Sequence, residues 1–321
     1  MASSTSPVKR SKSKMNNGKK EGLHAGKGVK GDFAVKKVVV AEISPKMSEE
    51  PRACSELFLR YWSGFDPSLE MNALSWNCQG IGNPWTVNGL KGLLTLIHPD
   101  IVFLCETRCL KNEMESIRRQ TGFKIVFAVD CVIRRNDEGR VCRAGGLCVL
   151  WQEGVKLSLI SYSLNHIDMV IEGVGPCSWR FIGVYRFSKV EERYRTWELI
   201  RSLAQGGSGP WLLGGDLDEI LRSSEKEGGP PRDFEQMEAF RKCLEDCGLI
   251  DLNFSGLVFT WKGKRARELV KTTLDCFVAN KEWKEVFSAS RVTHMKPSKS
   301  DHVPLGIEIS ATRIIRRVKR K

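Results

Sequence analysis

Several polar side chains that suit phosphoester chemistry stand directly beside apolar runs of this sequence. Near the C-terminal end, the triplet Ser300-Asp301-His302 precedes an apolar run that starts at Val303. An adjacent acid and imidazole at the entrance of a strand suit metal-assisted chemistry on a phosphoester. The same triplet is typical of a turn in which a short polar side chain bonds nearby backbone. Taken alone, the triplet fits the turn better.

Glu106 and Asp216 have comparable positions farther upstream. A phosphodiester resists hydrolysis because its negative charge repels hydroxide and its leaving alkoxide is poor, so a catalyst needs a divalent cation and positioned proton-transfer groups. Glu106 follows the apolar run 101–104, which would hold its carboxylate at the mouth of a sheet, where oxygen ligands suit Mg²⁺ or Mn²⁺. On position alone, Glu106 fits the first turn of a following helix better. Asp216 follows Gly214-Gly215, a bend that permits close backbone approach.

Short apolar strands and a few amphipathic helices must position these side chains. The pattern predicts helices over 85–97, 190–204 and 234–247, the last capped by Gly248. Strands are predicted over 73–76, 101–104, 124–129, 146–151, 155–162, 167–172, 179–185, 211–213, 258–261, 274–279 and 305–309. Helices placed between blocks of strands predict an α+β fold of two packed sheets covered by helices.

Charge and composition favour a nucleic-acid partner. The 321 residues carry a net charge of +13, which attracts phosphate polymers or an acidic membrane surface. No apolar run approaches the roughly 20 residues that span a bilayer, and no signal-peptide core begins the chain, so we expect a soluble intracellular protein without a membrane partner. Eleven cysteines without a Cys-x-x-Cys pair are expected to be reduced thiols without structural zinc.

Basic segments flank the predicted domain. Residues 1–65 are rich in Lys, Ser and Gly and are expected to form a disordered basic arm, within which 33–43 is either a short strand or a partner-binding segment. Residues 311–321 form a second basic tail. Lys9-Arg10 with Lys19-Lys20 fits either a split nuclear-import signal or a solvated tail. We expect a nuclear protein, with the cytoplasm as the alternative.

The order of the polar motifs resembles that of the endonuclease/exonuclease/phosphatase superfamily. These motifs are Trp76-Asn77-Cys78-Gln79-Gly80, Cys105-Glu106-Thr107, Val184-Tyr185, Gly214-Gly215-Asp216-Leu217-Asp218, Leu274-Asp275 and Ser300-Asp301-His302. Together with Phe259-Thr260-Trp261, the residues of these motifs look most like those of endonuclease domains of plant LINE-type retrotransposons. The resemblance covers residues 71–310 and implies a four-layer α/β/β/α sandwich of two mainly antiparallel sheets flanked by helices.

The resemblance also implies a metal site for Mg²⁺ or Mn²⁺. Glu106 is the principal ligand that it implies, and Asp301 completes the set. Asn77 would orient a water or a phosphate oxygen beside Glu106. From the sequence alone, Asn77 is equally a turn residue ahead of Gly80.

Catalytic roles are implied for four further side chains. Asp216 would hold or deprotonate the attacking water, and His302 would bond the scissile phosphate or transfer a proton. Asp275 would hold the His302 imidazole in one tautomer. The hydroxyl of Tyr185 would bond the phosphate, although a buried aromatic residue at a sheet end has the same pattern.

This chain departs from the pattern of the superfamily at three positions. Asp218 stands where Asn is usual, and an ionised Asp accepts hydrogen bonds but donates none. Asp218 would slow catalysis, recruit an extra cation or be protonated. Arg186 stands where Gly is frequent and would add a phosphate contact or narrow the cleft. Cys276 replaces an Arg. Thr260 and Trp261 match positions near a nucleic-acid-binding surface, although a Trp that closes a strand is as often core.

The resemblance predicts a metal-dependent DNA endonuclease that nicks a phosphodiester. The alternative is a catalytically impaired nucleic-acid-binding relic of a retrotransposon, motivated by Asp218, Arg186 and Cys276. A phosphomonoesterase of the same superfamily fits less well. The expected partner is DNA, with RNA as the alternative, and no obligate protein partner is implied.

Overall fold

Two seven-stranded sheets packed face to face carry the fold. The computed structural model describes residues 36–37, 70–135, 139–172, 178–296 and 299–311. The strands, in chain order, are β1 (Lys36–Lys37), β2 (Met71–Asn77), β3 (Ile101–Cys105), β4 (Ile125–Val129), β5 (Val132–Arg135), β6 (Val141–Ala144), β7 (Leu147–Trp151), β8 (Lys156–Tyr162), β9 (His166–Glu172), β10 (Trp179–Tyr185), β11 (Trp211–Asp216), β12 (Lys226–Glu227), β13 (Leu249–Asp251), β14 (Phe254–Gly256), β15 (Trp261–Arg265), β16 (Glu268–Thr272), β17 (Asp275–Asn280), β18 (Arg291–His294) and β19 (Leu305–Ile309). The helices are α1 (Pro84–Ile97), α2 (Lys111–Thr121), α3 (Tyr194–Ala204), α4 (Phe234–Asp246) and α5 (Lys281–Val286).

Both large sheets are mainly antiparallel. The first sheet has the order β14-β18-β19-β2-β3-β7-β4, in which β2 and β3 are parallel, as are β14 and β18. The second has the order β1-β8-β9-β10-β11-β17-β13, in which β10 and β11 are the parallel pair. A three-stranded sheet, β12-β16-β15, and the β5-β6 hairpin complete the strands.

Apolar side chains from the facing surfaces of the two sheets form the central core. Phe103 of the first sheet meets Phe181 of the second edge to face, with ring centroids 6.4 Å apart. Gly183 is required beside this pair, because a Cβ there would lie 2.4 Å from the Phe103 ring. The core therefore fixes how the strands of the two sheets align.

Helices cover the outer face of each sheet. Helices α1 and α2 pack on the first sheet, where Leu90 and Met114 join Trp76 in a second apolar cluster. Helices α3 and α4 pack on the second sheet, where Trp197 and Phe240 stack with centroids 4.8 Å apart. The predicted α+β, four-layer α/β/β/α sandwich is thereby confirmed.

Most of the predicted strands and helices lie within a few residues of the observed ones. The strand predicted over 258–261 is wrong, because the observed strand starts at Trp261 and pairs with β16 as a hairpin. The helix predicted over 190–204 is a 3₁₀ turn, Val190–Glu192, followed by α3. Nearly all of the N-terminal arm and of the basic tail lies outside the described residues. Within the described part of the chain, no helix is long and apolar enough to cross a bilayer.

Candidate active site

The ends of five strands from both large sheets converge at one edge of the sandwich. Asn77 ends β2 and Glu106 follows β3, and these strands are parallel. Tyr185 ends β10 and Asp216 ends β11, again a parallel pair. Asp275 begins the antiparallel strand β17 directly opposite Asp216. Parallel pairing brings the carboxyl ends of strands together, so the topology places side chains from distant motifs in one cleft.

Left-handed backbone accompanies several of these residues. Glu106 and Asp218 both have φ +52°, a conformation that costs a non-glycine residue free energy and is retained where surrounding contacts require it. Gly215 has φ +144°, and a Cβ there would lie 1.9 Å from the carbonyl oxygen of Val184. The Gly-Gly bend ahead of Asp216 therefore allows two strands to approach where any other residue would collide.

Glu106 is held by two donors at the mouth of the cleft. Its Oε1 accepts a 2.8 Å hydrogen bond from the Tyr185 hydroxyl, and its Oε2 accepts one of 2.9 Å from Arg108. Burial alone would raise the pKa of Glu106, but these donors outweigh it and hold the pKa below its usual value. Glu106 is therefore an ionised carboxylate at neutral pH, with oxygens that could coordinate a metal. It does not begin a helix, since α2 starts at Lys111.

Asn77 links three of the side chains in the cleft. Its Nδ2 donates to Asp216 Oδ2 at 2.9 Å and lies 3.5 Å from both Glu106 Oε1 and His302 Nε2. Asp216 is fully buried, and this burial raises its pKa above the usual value for Asp, although His302 and Arg186 oppose the shift. A carboxylate with a raised pKa is a better proton acceptor than an ordinary Asp.

A buried Thr-Asp-His chain lies behind Asp216. His302 Nδ1 and Asp275 Oδ2 are 2.8 Å apart, and Thr260 Oγ1 donates to the same Asp275 oxygen at 2.8 Å. Burial lowers the pKa of His302, but the carboxylates of Asp275 and Asp216 outweigh this effect and raise it to about 10. His302 is therefore a positioned imidazolium at neutral pH, with Nε2 4.0 Å from Asp216 Oδ2.

Thr260 does not lie on the surface at which a nucleic-acid contact was expected. Its side chain is fully buried, and its hydroxyl also accepts hydrogen bonds from the backbone N–H groups of Leu274 and Asp275. A hydroxyl with three protein partners is not placed to contact a ligand. Thr260 positions Asp275 instead.

The Ser300-Asp301-His302 triplet forms a turn that is capped by its serine. Ser300 Oγ donates to the Asn77 carbonyl at 2.8 Å and accepts from the His302 N–H at 3.1 Å. Asp301 Oδ2 accepts from Trp261 Nε1 at 2.9 Å, whereas Asp301 Oδ1 is buried without a hydrogen-bond partner. Trp261 itself is half-buried beside Arg265, whose guanidinium lies 5.5 Å from the ring centroid.

Asp218 lies among arginines rather than beside the predicted ligands. Its Oδ2 is 2.5 Å from Arg193 and 3.0 Å from Arg186 Nε, and Arg232 lies 3.9 Å from Oδ1. Its N–H donates to Asp216 Oδ1 at 3.1 Å. The cations that surround the Asp218 carboxylate are therefore arginine side chains of this chain.

Two sets of side chains in the cleft have donor atoms for a metal. Among the described residues, one group of three acid and imidazole side chains has ligand atoms within 4.8 Å of one another: Asp216, Asp275 and His302. Two members of this group are joined by the 2.8 Å hydrogen bond between His302 Nδ1 and Asp275 Oδ2. The set predicted from sequence, Glu106, Asn77 and Asp301, offers hard oxygens, including the unpartnered Oδ1 of Asp301. Each of the two sets has ligand chemistry that suits a divalent cation.

Several contributors to the cleft were not predicted. Ser300 directly precedes Asp301, and Arg108 lies two residues after Glu106, so their proximity to predicted residues was the available signal. Arg193 and Arg232 precede α3 and α4 and are far from Asp218 along the chain. Nothing in their sequence context marks them.

Comparisons with known proteins agree on the fold. A model of the endonuclease/exonuclease/phosphatase family matches residues 74–302. No curated protein sequence matches the chain. Solved structures that are similar include an AP endonuclease from Leishmania major, with a TM-score of 0.56 and 14% identity over 77% of this chain and 90% of that one.

Two further structures are similar over a comparable length. The endonuclease domain of TRAS1, a telomere-specific non-LTR retrotransposon, has a TM-score of 0.53 and 15% identity over 76% of this chain and all of that domain. A 3′-5′ exonuclease from Neisseria meningitidis has a TM-score of 0.53 and 17% identity over 75% of this chain and all of that one. At these identities, the likeness is one of fold.

Proposed function

This chain belongs to the endonuclease/exonuclease/phosphatase family, and on that premise we propose that it is a divalent-metal-dependent DNA endonuclease that nicks a phosphodiester bond. The family typically depends on a divalent metal. One observation carries the proposal: an ionised Glu106, a buried Asp216 and an imidazolium His302 meet at the same edge of the sandwich, each within 3.5 Å of the Asn77 amide nitrogen. These groups provide the oxygen donor, the proton acceptor and the positive charge that phosphodiester hydrolysis needs.

Each side chain of the cleft has a separate role in the proposed reaction. Glu106, Asn77 and Asp301 would hold Mg²⁺ or Mn²⁺, which supplies Lewis-acid polarisation of a phosphate oxygen when bound. Asp216 accepts a proton from the attacking water. His302, held through Nδ1 by Asp275, would donate its Nε2 proton to the leaving oxygen as the P–O bond to that oxygen breaks and the bond from the water oxygen to phosphorus forms. The Tyr185 hydroxyl fixes Glu106 in its orientation.

Positive charge beside the cleft favours a polymeric phosphate substrate. The β15-β16 hairpin starts at Trp261 and carries Lys262, Lys264, Arg265 and Lys271, and the whole chain has a net charge of +13. Contacts of this kind bind the phosphate backbone of any duplex without identifying its bases. DNA is therefore the proposed partner, with RNA as the alternative, and we propose no membrane or obligate protein partner.

We further propose that this domain derives from a LINE-type retrotransposon of plants and acts in the nucleus. The residue patterns around Asn77 and Asp216 support the proposed origin. The basic pairs Lys9-Arg10 and Lys19-Lys20 support the proposed nuclear location. The proposed organisation is a basic arm over 1–65, the catalytic domain over 71–310 and a basic tail over 311–321.

A catalytically impaired nucleic-acid-binding relic is the second candidate. Asp218 favours it, because a carboxylate near an anionic substrate is unfavourable when it is not compensated. The arginine contacts of Asp218 supply that compensation and support the active enzyme instead. A phosphomonoesterase is the third candidate, and release of inorganic phosphate from inositol phosphates would favour it.

Nicking of supercoiled plasmid by the purified full chain tests the proposal. Relaxed circles should form with Mg²⁺ or Mn²⁺ and not with EDTA, and Glu106→Ala and His302→Ala should abolish the product. Intact plasmid together with retained duplex binding would favour the relic. Nicking that survives in both variants would mean that the assigned site is wrong.

A further inference from the structure

Three arginines from different parts of the chain surround Asp218. Arg186 directly follows β10, Arg193 directly precedes α3, and Arg232 lies shortly before α4. The side chains of all four residues are largely buried, with 11% of Asp218 and 16–18% of each arginine exposed. Such a cluster of mostly buried charges persists only where its charges are matched.

The three arginines of this cluster differ in how they are held. Arg232 is matched by Glu219, whose Oε1 lies 3.0 Å from Arg232 Nε. Asp218 therefore serves both Arg186 and Arg193. Arg193 has the stronger contact, a hydrogen bond of 2.5 Å. Arg186 Nε lies 3.0 Å from the same oxygen but at an angle that makes no hydrogen bond. Arg232 also donates a hydrogen bond to the Asp218 carbonyl at 3.0 Å. Among the described residues, the Arg186 side chain is therefore held only by its ion pairs with Asp218 and Asp216.

Arg186 is the arginine of this cluster that borders the cleft. Its Nε is 3.9 Å from Asp216 Oδ1, and its guanidinium is 5.7 Å from the centroid of the Tyr185 ring. Among the described residues, the terminal guanidinium nitrogens of Arg186 make no hydrogen bond to the protein. A planar guanidinium with donors to spare is the side chain best suited to a phosphate.

We propose that Asp218 and Arg186 act as a matched pair, in which Asp218 holds the Arg186 guanidinium in the cleft so that it contacts a phosphate group of the bound nucleic acid. This inference rests on the proposed function. Asp218 is then a positioning residue, and its negative charge is a requirement of the site rather than a defect. Without Asp218, the carboxylate nearest to Arg186 is that of Asp216, and pairing there would remove both groups from the substrate.

For Asp218→Asn, the matched pair predicts a change in duplex affinity opposite to the one that charge repulsion alone predicts. Removal of a negative charge near a polyanion should strengthen binding of a duplex, because repulsion decreases. If Asp218 positions Arg186, Asp218→Asn should weaken binding instead. The sign of the change in affinity therefore separates the two explanations.

A double-mutant cycle tests the pair. Asp218→Asn, Arg186→Gln and the double variant of the full chain are compared for affinity to a short DNA duplex in EDTA, and for single-turnover nicking with Mg²⁺. Each single change should reduce both quantities about tenfold, and the double variant should lose no more than the worse single variant, as coupled residues do.

Asp246→Asn is the matched control. It makes the same chemical change in a carboxylate that pairs with an arginine, Arg201, at 2.9 Å, on the surface between α3 and α4. We expect it to leave affinity and nicking unchanged. Thermal unfolding of each variant verifies that the fold is retained.

Several outcomes would overturn the matched pair. These are tighter duplex binding by Asp218→Asn, losses that simply multiply in the double variant, or an unchanged affinity in Arg186→Gln. If Asp218→Asn does not fold, the Arg186→Gln affinity decides alone. Absence of nicking by the unmodified chain contradicts the proposed function but leaves the affinity cycle decisive, whereas absence of duplex binding contradicts both.

Discussion

Thr260→Val should destabilise the protein far more than its small change in volume suggests. The Thr260 hydroxyl donates to Asp275 Oδ2 at 2.8 Å and accepts from two backbone N–H groups at 2.8 and 3.0 Å, all in a fully buried position. A hydrogen bond to a charged group contributes about 1.5–3 kcal/mol, and a buried donor left without a partner costs about 1–3 kcal/mol. Allowing for partial relaxation, we expect a loss of about 3–5 kcal/mol in the free energy of unfolding.

Urea unfolding at pH 7, followed by tryptophan fluorescence, measures this loss. Thr260→Ser is the control, because it keeps the hydroxyl and removes one methyl group, at a cost of about 1 kcal/mol. Under conditions in which Thr260→Val remains folded, we also expect slower nicking, since His302 depends on Asp275 for its orientation. Duplex affinity should not change.

The opposite pattern would refute the assignment of Thr260 as a positioning residue. A loss below about 1 kcal/mol in Thr260→Val would mean that its hydrogen bonds contribute little. Weakened duplex binding at full stability would mean that Thr260 contacts nucleic acid, as its sequence position suggests.

Three further changes test the cleft and the core. Glu106→Gln keeps the shape of the side chain but removes its charge, so nicking should fall about 100-fold or more at saturating Mg²⁺, while circular dichroism shows an intact fold. Gly215→Ala should lower the free energy of unfolding in urea by about 4 kcal/mol, because its Cβ would lie 1.9 Å from the Val184 carbonyl oxygen. Gly209→Ala is the control, since Gly209 has φ +108° but open space around it, and should lower the free energy of unfolding by about 1–2 kcal/mol. Equal losses in the two variants would contradict the steric argument. His166 is fully buried, and burial lowers its pKa to about 4, below that of the unfolded chain, so its contribution to stability is complete above about pH 6.5 and decreases as the pH falls towards 4. Urea unfolding should show a loss of about 2–3 kcal/mol from this group between pH 7 and 4.5, and a His166→Asn variant with the same pH dependence would show that another group is responsible.

The strands and helices with strong apolar patterns were predictable, and those with polar surfaces were not. Strand β3 is apolar throughout and fully buried, so its run stands out in the sequence. Helix α2 escaped prediction because most of its residues are charged or polar, and only Met114 and Ile117 are buried. The β5-β6 hairpin is almost entirely exposed, so it has no apolar alternation to detect.

Some residues of the candidate site could likewise be predicted from the sequence, and others could not. Asn77, Glu106, Asp216 and His302 were identified because each belongs to a motif whose order resembles that of a known family, and the structure brings them together. No periodicity or spacing predicts that strands β2 and β11 belong to facing sheets with aligned ends. The arginines around Asp218 come from three elements, and only the packing of α3 and α4 on the second sheet brings them to one carboxylate.

The contact between Asn77 and His302 joins residues 225 positions apart, and this distance along the chain has a temporal consequence during synthesis. The first sheet places β19, the last of the described strands, directly beside β2, the second of them. When two thirds of residues 71–310 have been synthesised, the nascent chain contains Asn77, Glu106 and Asp216 but neither Asp275 nor His302. A prematurely terminated or proteolytically shortened product therefore lacks the imidazole and its carboxylate partner. The proposed cleavage activity would therefore require translation of the domain to proceed at least as far as His302.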